Sequence, residues 1–88
     1  GITAIEDALN DQIYLYPNPA KDKVYLKTQN LGKLTYQVYD GLGKIIAEGE
    51  FNGETYELDT QKYAGGLYMI RLMDSNGNMG NKKLIITR

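Results

Sequence analysis

Apolar and polar residues alternate in short runs along most of this chain. In Lys23–Thr28, for example, Val24 and Leu26 alternate with polar neighbours. A period of two residues is typical of a strand with one buried face. Seven such runs are predicted as strands: Ile13–Tyr16, Lys23–Thr28, Leu34–Tyr39, Lys44–Phe51, Thr55–Leu58, Leu67–Met73 and Lys82–Thr87.

Turn-forming residues separate these runs. Pro17-Asn18-Pro19 cannot lie in a central strand and indicates a corner at a sheet edge. Asp40–Gly43 and Asp74–Asn78 are predicted loops, and Asn52-Gly53 predicts a tight hairpin that joins two paired strands. Many short strands between turns are typical of an all-β fold, here a seven-stranded immunoglobulin-like antiparallel β-sandwich.

The apolar positions of the runs predict the core, and each contributes about 1.5–3 kcal/mol when fully buried. We expect residues 13–88 to form one domain and residues 1–12, which show no clear period, to form a linker from a preceding domain. The chain begins with Gly1 rather than Met, so we expect it to be a segment of a longer polypeptide. The predicted inward residues are Val24, Leu26, Leu34, Tyr36, Val38, Ile45, Ala47, Phe51, Tyr56, Leu58, Tyr68, Ile70, Leu72, Leu84 and Ile86.

Composition excludes several classes of function. The 88 residues contain no cysteine and no histidine, which removes thiol nucleophiles, zinc–thiolate sites and the usual general base. Ten basic residues against eleven acidic ones give a net charge of −1, which argues against a nucleic-acid-binding protein. No apolar run approaches the ~20 residues of a membrane-spanning helix, and no signal peptide is predicted.

Three local strings imitate functional motifs, but the residues favour structural interpretations. Gly41-Leu42-Gly43 begins like a dinucleotide fingerprint, yet a strand rather than a helix follows it. Asp74–Asn78 has alternating oxygen ligands, but the later glycine and acid of a calcium loop are absent. Glu48 and Glu50 share one strand face, where we expect solvated carboxylates. We therefore predict no catalytic residue, no metal ligand and no cofactor.

Two features leave alternatives open. Tyr14, Tyr25 and Tyr39 can pack across strands, or they can offer an exposed aromatic platform to a sugar or a protein partner. Lys82–Arg88 joins basic residues to an apolar run at the end of the chain. This segment is either a plain terminal strand or an unprotected edge to which a partner adds a strand. A free edge would also permit a homodimer by edge-strand pairing.

The order of several motifs carries a resemblance to a known family. The motifs are Tyr16-Pro17-Asn18-Pro19, Lys23-Val24-Tyr25-Leu26, the run Val38 to Lys44 with Asp40, Gly43 and Lys44, the run Gly65 to Leu72 with Gly66 and Tyr68, and Lys82 to Ile86. In this order and spacing, they resemble the type IX secretion system C-terminal sorting domain, type A. The resemblance covers residues 13–88.

The resemblance implies a non-catalytic secretion signal fused to the C-terminus of a cargo protein. The cargo would pass through the periplasm, meet shuttle and translocon components of the outer membrane, and finish at the cell surface or outside the cell. A sortase-like surface peptidase would remove the domain by cutting within residues 1–12. The implied recognition residues are Lys82, Lys83, Leu84, Ile85, Ile86, Thr87 and Arg88. The alternative is an accessory carbohydrate-binding or spacer β-sandwich module.

Overall fold

A computed structural model describes residues 9–29 and 31–88. After a short 3-10 helix at Asn10–Gln12, all seven predicted strands are present, with small shifts at their ends. No helix in these two ranges is long and apolar enough to cross a membrane. The strands are β1 (Ile13–Tyr16), β2 (Lys23–Thr28), β3 (Lys33–Tyr39), β4 (Ile45–Asn52), β5 (Thr55–Asp59), β6 (Gly66–Asp74) and β7 (Met79–Ile86).

The strands form two antiparallel sheets that face each other across one core. The smaller sheet has the order β1-β2-β5, and the larger has the order β4-β3-β6-β7. This arrangement confirms the predicted seven-stranded antiparallel sandwich. Of the predicted inward residues, Ala47 and Tyr56 pack partly buried against the core, and Ile45 is exposed. The others are buried: Val24, Leu26, Leu34, Tyr36, Val38, Phe51, Leu58, Tyr68, Ile70, Leu72, Leu84 and Ile86.

The predicted hairpin at Asn52-Gly53 is wrong, because β4 and β5 belong to different sheets. The Gly53 carbonyl accepts a hydrogen bond from Thr28 Oγ1 at 3.2 Å, and the Glu54 carbonyl accepts one from the Thr28 backbone N–H at 2.7 Å. These bonds attach the connection to β2. The chain therefore crosses from one sheet to the other, and β5 pairs with β2.

The inward placement of Ile45 is also wrong. The register between β3 and β4 shifts between Val38 and Tyr39, so that Val38 lies opposite Ala47 but Tyr39 lies opposite Ile45. A bulge of this kind adds a residue to one strand and reverses the alternation beyond it. Ile45 consequently lies on the outer face with Tyr39, and 43% of it is exposed.

The core also takes in Leu9, which belongs to the segment predicted as a linker. Leu9 is buried and donates its N–H to the Met79 carbonyl at 3.1 Å. Its neighbour Asn10 accepts a hydrogen bond at Oδ1 from the Asn81 backbone N–H at 2.8 Å. Residues 1–8 of the predicted linker lie outside the described residues. Within the described part of the chain, packed structure begins at Leu9, beside the start of β7.

An aromatic cluster fills one part of the core between the sheets. The rings of Phe51 and Tyr56 stack with centroids 4.8 Å apart, and Tyr36 lies beside both. The hydroxyls of Tyr36 and Tyr56 share a hydrogen bond of 2.9 Å. Burial, followed by this hydrogen bond, raises the pKa of Tyr36 above its ordinary value. Gly49 leaves room for the cluster, because a Cβ there would lie 2.9 Å from Tyr36 Oη.

Candidate functional site

Strand β7 carries most of the residues that the resemblance implicates in recognition, and it divides them between two faces. Leu84 and Ile86 point into the core and are almost fully buried. Lys83 and Ile85 lie on the outer face, where Lys83 is opposite Met69 and Ile85 is opposite Leu67. Lys82 is half-buried, and Thr87 and Arg88 follow the strand. The outer-face residues are therefore the ones that a partner could reach without disturbing the core.

The outer edge of β7 is covered, so of the two alternatives the structure favours the plain terminal strand over the unprotected edge. Asn18 donates from Nδ2 to the Lys83 carbonyl at 2.7 Å and accepts at Oδ1 from the Ile85 N–H at 3.0 Å. Ala20 then donates its N–H to the Ile85 carbonyl at 2.8 Å and accepts the Thr87 N–H at 2.9 Å. These bonds occupy the groups that strand addition at Lys83–Thr87 would use.

The predicted proline corner produces this cover. Both the Tyr16–Pro17 and the Asn18–Pro19 peptide bonds are cis. The corner ends β1 and brings Ala20 into a parallel bridge with Ile86, across to the other sheet. Of the four motif residues here, Asn18 makes the contacts with β7. Tyr16 instead packs its ring on Tyr25, with centroids 5.5 Å apart.

Arg88 is engaged in the fold. Its guanidinium donates from Nε to the Tyr63 carbonyl at 3.0 Å and from one terminal nitrogen to the carbonyls of Thr60 and Gln61. The other terminal nitrogen lies 3.1 Å from Asp22 Oδ1. A planar guanidinium can satisfy such a fan of acceptors, whereas an ammonium cannot. Arg88 thus ties the end of β7 to the connection between β5 and β6.

The motif residues Gly66 and Tyr68 shape the same connection. Tyr68 donates its hydroxyl to the Ala64 carbonyl at 2.6 Å, and its ring lies 5.2 Å from that of Tyr63. Gly66 begins β6 opposite Ile86 of β7. These motif positions therefore hold the segment that receives Arg88.

The motif residues Asp40, Gly43 and Lys44 form a closed loop between β3 and β4. Asp40 Oδ1 accepts hydrogen bonds from the backbone N–H groups of Leu42 at 2.9 Å and Lys44 at 3.0 Å. The backbone of Asp40 also pairs with Gly43 and Lys44. Gly43 has a φ of +84°, a conformation that favours glycine. The Asp side chain therefore serves as the internal cap of this loop.

The loop between β6 and β7, Asp74–Asn78, has the same hydrogen-bonded structure as Asp40–Lys44, residue by residue. Asp74 Oδ1 accepts from the N–H groups of Asn76 at 2.9 Å and Asn78 at 2.8 Å, and Gly77 has a φ of +86°. Slight desolvation raises the pKa of Asp74. Hydrogen bonds from the side chain and backbone of Asn78 outweigh this and lower the pKa below its ordinary value. Asp74 Oδ2 accepts from Asn78 Nδ2 at 3.0 Å, so the carboxylate is used within its own loop.

The three tyrosines proposed as a platform do not meet. Tyr14 and Tyr25 lie on the outer face of the smaller sheet, together with Tyr16. Tyr39 lies on the outer face of the larger sheet, where it donates its hydroxyl to Gln37 and Arg71 covers its ring. An aromatic platform could therefore include Tyr14, Tyr16 and Tyr25 but not Tyr39.

The carboxylates considered for chemistry are exposed. Glu50 pairs with Lys33 at 3.4 Å on the outer face of the larger sheet, and Glu48 lies on the same strand. Within residues 9–29 and 31–88, no group of three acidic side chains could hold a metal ion. These carboxylates are placed as solvated surface groups.

Sequence reasoning missed one cluster, which we call the distal face. It comprises exposed apolar residues at the end of the larger sheet where β7 finishes. A signal for it was present, because Leu67 and Met69 make β6 apolar on its outer side as well. The cluster consists of Leu42, Ile45, Leu67, Met69 and Ile85.

Comparison with known proteins places this fold. The chain is 35% identical over 79 residues to an endo-acting ulvan lyase of Formosa agariphila, which covers 89% of this chain but only 15% of the lyase. Among solved structures, PorZ, a surface component of the type IX secretion system of Porphyromonas gingivalis, matches with a TM-score of 0.77 and 18% identity, over 94% of this chain and 12% of PorZ. Latent PorU of the same organism matches with a TM-score of 0.59 and 21% identity, over 86% of this chain and 9% of PorU. At these identities, the two structures indicate a shared fold.

A family model settles the relationship that the motifs predicted. The model of the secretion system C-terminal sorting domain matches residues 14–87, from β1 to the residue after β7. The chain therefore belongs to the secretion system C-terminal sorting domain family.

Proposed function

We propose that this chain is a non-catalytic sorting domain that directs an N-terminally fused cargo protein through the type IX outer-membrane translocon. The observation that carries the proposal is the family match over residues 14–87. The cargo would cross the periplasm and finish at the cell surface or outside the cell. Its partners would be shuttle and translocon components and then a sortase-like surface peptidase.

Removal of the domain would require a peptide bond that a peptidase can reach. Leu9 is buried against β7, and Asn10 is tied to Asn81. Cleavage after Leu9 would need part of the core to open, because extended backbone must enter the peptidase. We therefore place the proposed cut before Leu9, within residues 1–8 of the predicted linker.

Recognition would use the part of Lys82–Arg88 that the fold leaves accessible. Leu84 and Ile86 pack in the core, and Arg88 is hydrogen-bonded to the connection between β5 and β6. Among the described residues, neither Lys82 nor Lys83 forms an ion pair. Lys83 and Ile85 on the outer face are thus the proposed contacts, with the half-buried Lys82 next to them in the strand. A double variant, Lys82→Gln with Lys83→Gln, should leave stability within about 0.5 kcal/mol, as expected for surface changes.

A reporter fusion tests the sorting function. The 88 residues would follow a fluorescent protein that carries an ordinary signal peptide, in a bacterium with a working type IX system. We expect fluorescence outside the cell, and its loss in a translocon mutant. The mass of the exported reporter would locate the cut. Retention of a folded fusion in the periplasm would contradict the proposal.

A carbohydrate-binding module is the second candidate, and one observation favours it. Tyr14 and Tyr16 are about half exposed on the same sheet face as Tyr25. Tyrosine rings on a flat face can stack against sugars. Because the similar lyase is named for ulvan, a titration of tyrosine fluorescence with ulvan oligosaccharides is the direct test. An unchanged spectrum for the wild-type chain would remove this candidate.

A further inference from the structure

The strand residues of the distal face form one continuous surface, and Leu42 projects from the adjoining β3–β4 loop. Leu67 lies opposite Ile85, and Tyr39 lies opposite both Met69 and Ile45, so the outward side chains of four strands adjoin. A shallow depression of about 320 Å³ lies between the β3–β4 loop and β6, with Leu67 and Met69 in its lining. Clustered apolar surface of this kind on a small domain marks an interaction site.

The two closed loops provide an internal comparison for Leu42. Leu42 and Asn76 occupy the same position in the two loops, two residues after Asp40 and Asp74. The β6–β7 loop therefore closes with a polar residue at this position. Leu42 is 96% exposed, so packing does not require an apolar side chain there. The fold does not explain why position 42 is a leucine, whereas contact with a partner would explain it.

The distal face lies away from the point where a cargo would be attached. Leu9 contacts Met79 at the beginning of β7, whereas Ile85 lies near its end. Six residues of strand separate these positions by about 20 Å. A cargo joined before Leu9 would therefore leave the distal face accessible.

The charged residues around the distal face indicate which kind of partner would bind it. Lys83 lies beside Met69 on this face, and Arg71 is the next outward residue along β6. Asp40 lines the same depression and keeps its negative charge, so Lys83 and Arg71 together leave this face with a small positive excess. An apolar surface with cationic neighbours is complementary to an apolar surface edged with carboxylates.

We propose that the distal face docks onto a protein of the export machinery through an apolar surface edged with carboxylates. This inference rests on the proposed sorting function. Docking occurs through side chains, because Asn18 and Ala20 already occupy the edge of β7. One or two cations suit a protein partner better than an anionic membrane, for which larger basic clusters are typical.

The exchange of residues between the two loops gives a matched test. In the reporter fusion, Leu42→Asn should reduce the exported fraction by about fivefold or more, as expected when an interface loses an apolar anchor side chain. Asn76→Leu, the reciprocal change at the opposite end of the sheet, should leave export unchanged. Lys83→Glu should also reduce export, whereas Lys83→Arg should preserve it.

Controls keep the outcomes distinct. Thermal unfolding of the purified chains should show that Leu42→Asn folds normally, because the equivalent loop already accepts asparagine. Normal export of Leu42→Asn, Leu67→Thr and Lys83→Glu would overturn the docking proposal while the sorting function stands. Failure of the wild-type fusion to be exported would overturn the sorting function itself, and the docking proposal with it. Binding of the wild-type chain to anionic phospholipid vesicles, lost in Leu42→Asn, would overturn the proposal in favour of a membrane surface.

Discussion

The side chain of Asn18 acts as a short neighbouring strand for Ile85. Its Oδ1 accepts the Ile85 N–H at 3.0 Å, while its Nδ2 donates to the Lys83 carbonyl at 2.7 Å. One amide thus satisfies a donor and an acceptor at a sheet edge, which is the pair that an added strand would supply. Strand pairing at this edge requires the displacement of Asn18.

Asn18→Ala should open the edge of β7. The loss of two exposed hydrogen bonds should lower the free energy of unfolding by about 1 kcal/mol. The amide of Ile85 should exchange with solvent faster, as measured by hydrogen exchange. Asn76→Ala, in an exposed loop, is the control. An unchanged exchange rate at Ile85 would show that the Asn18 side chain does not protect this edge.

Arg88→Ala should destabilise the domain by about 1–2 kcal/mol, because several backbone carbonyls lose their donor. Arg88→Lys should recover little of this stability, since one ammonium group cannot reach all the acceptors that the guanidinium spans. Urea unfolding of both variants would measure the difference, with Lys83→Ala as an exposed control. Full stability of Arg88→Ala would make Arg88 available for recognition alone.

Gly49→Ala should destabilise the aromatic cluster. The new Cβ would lie 2.9 Å from Tyr36 Oη and 3.0 Å from its ring. Overpacking of this kind costs about 1–3 kcal/mol. In a Tyr36→Phe background, the same change should cost less, because the closest contact is gone. Equal costs in both backgrounds, measured by a double-mutant cycle, would contradict this account.

Alkaline pH should destabilise the domain through its tyrosines. Burial raises the pKa values of Tyr36 and Tyr63 above the ordinary value of 10.0. Below pH 10 these groups are protonated in both the folded and unfolded states, so their full contribution to the free energy of unfolding is present. Above pH 10 the unfolded chain ionises first, and stability falls. Tyr36, whose hydroxyl is desolvated and shares a hydrogen bond with Tyr56, should contribute to this loss. Tyr36→Phe should flatten this part of the pH profile in urea titrations.

The sequence predicts the strands and most of the core because those features depend on local alternation. It also predicts the two loops, since Asp and Gly at fixed spacing close them. It cannot predict the cover over β7, which joins Asn18 to backbone groups 65 and 67 residues later. The bulge at Ile45 and the crossing after Asn52 are likewise decided by partners far along the chain.

The candidate site, too, can be predicted from the sequence only in part. The motifs identify Asp40, Asn18 and Tyr68 as important, but their hydrogen-bond partners emerge only in the folded chain. Arg88 looks like an exposed basic residue in the sequence, and its role becomes evident when the β5–β6 connection is placed beside it. The distal face depends on which side of β6 is left uncovered by the facing sheet.

The contacts between the first described residues and β7 also determine when the domain can fold during synthesis. Asn18 finds its partners 65 and 67 residues later, and Asn10 finds its partner 71 residues later. Leu84 and Ile86 then complete the core. A ribosome that stops before β7 therefore releases a chain in which these groups have no partners. In the proposed fusion, the sorting domain would therefore fold only after the cargo before it had been translated, and prematurely terminated products would lack the export signal.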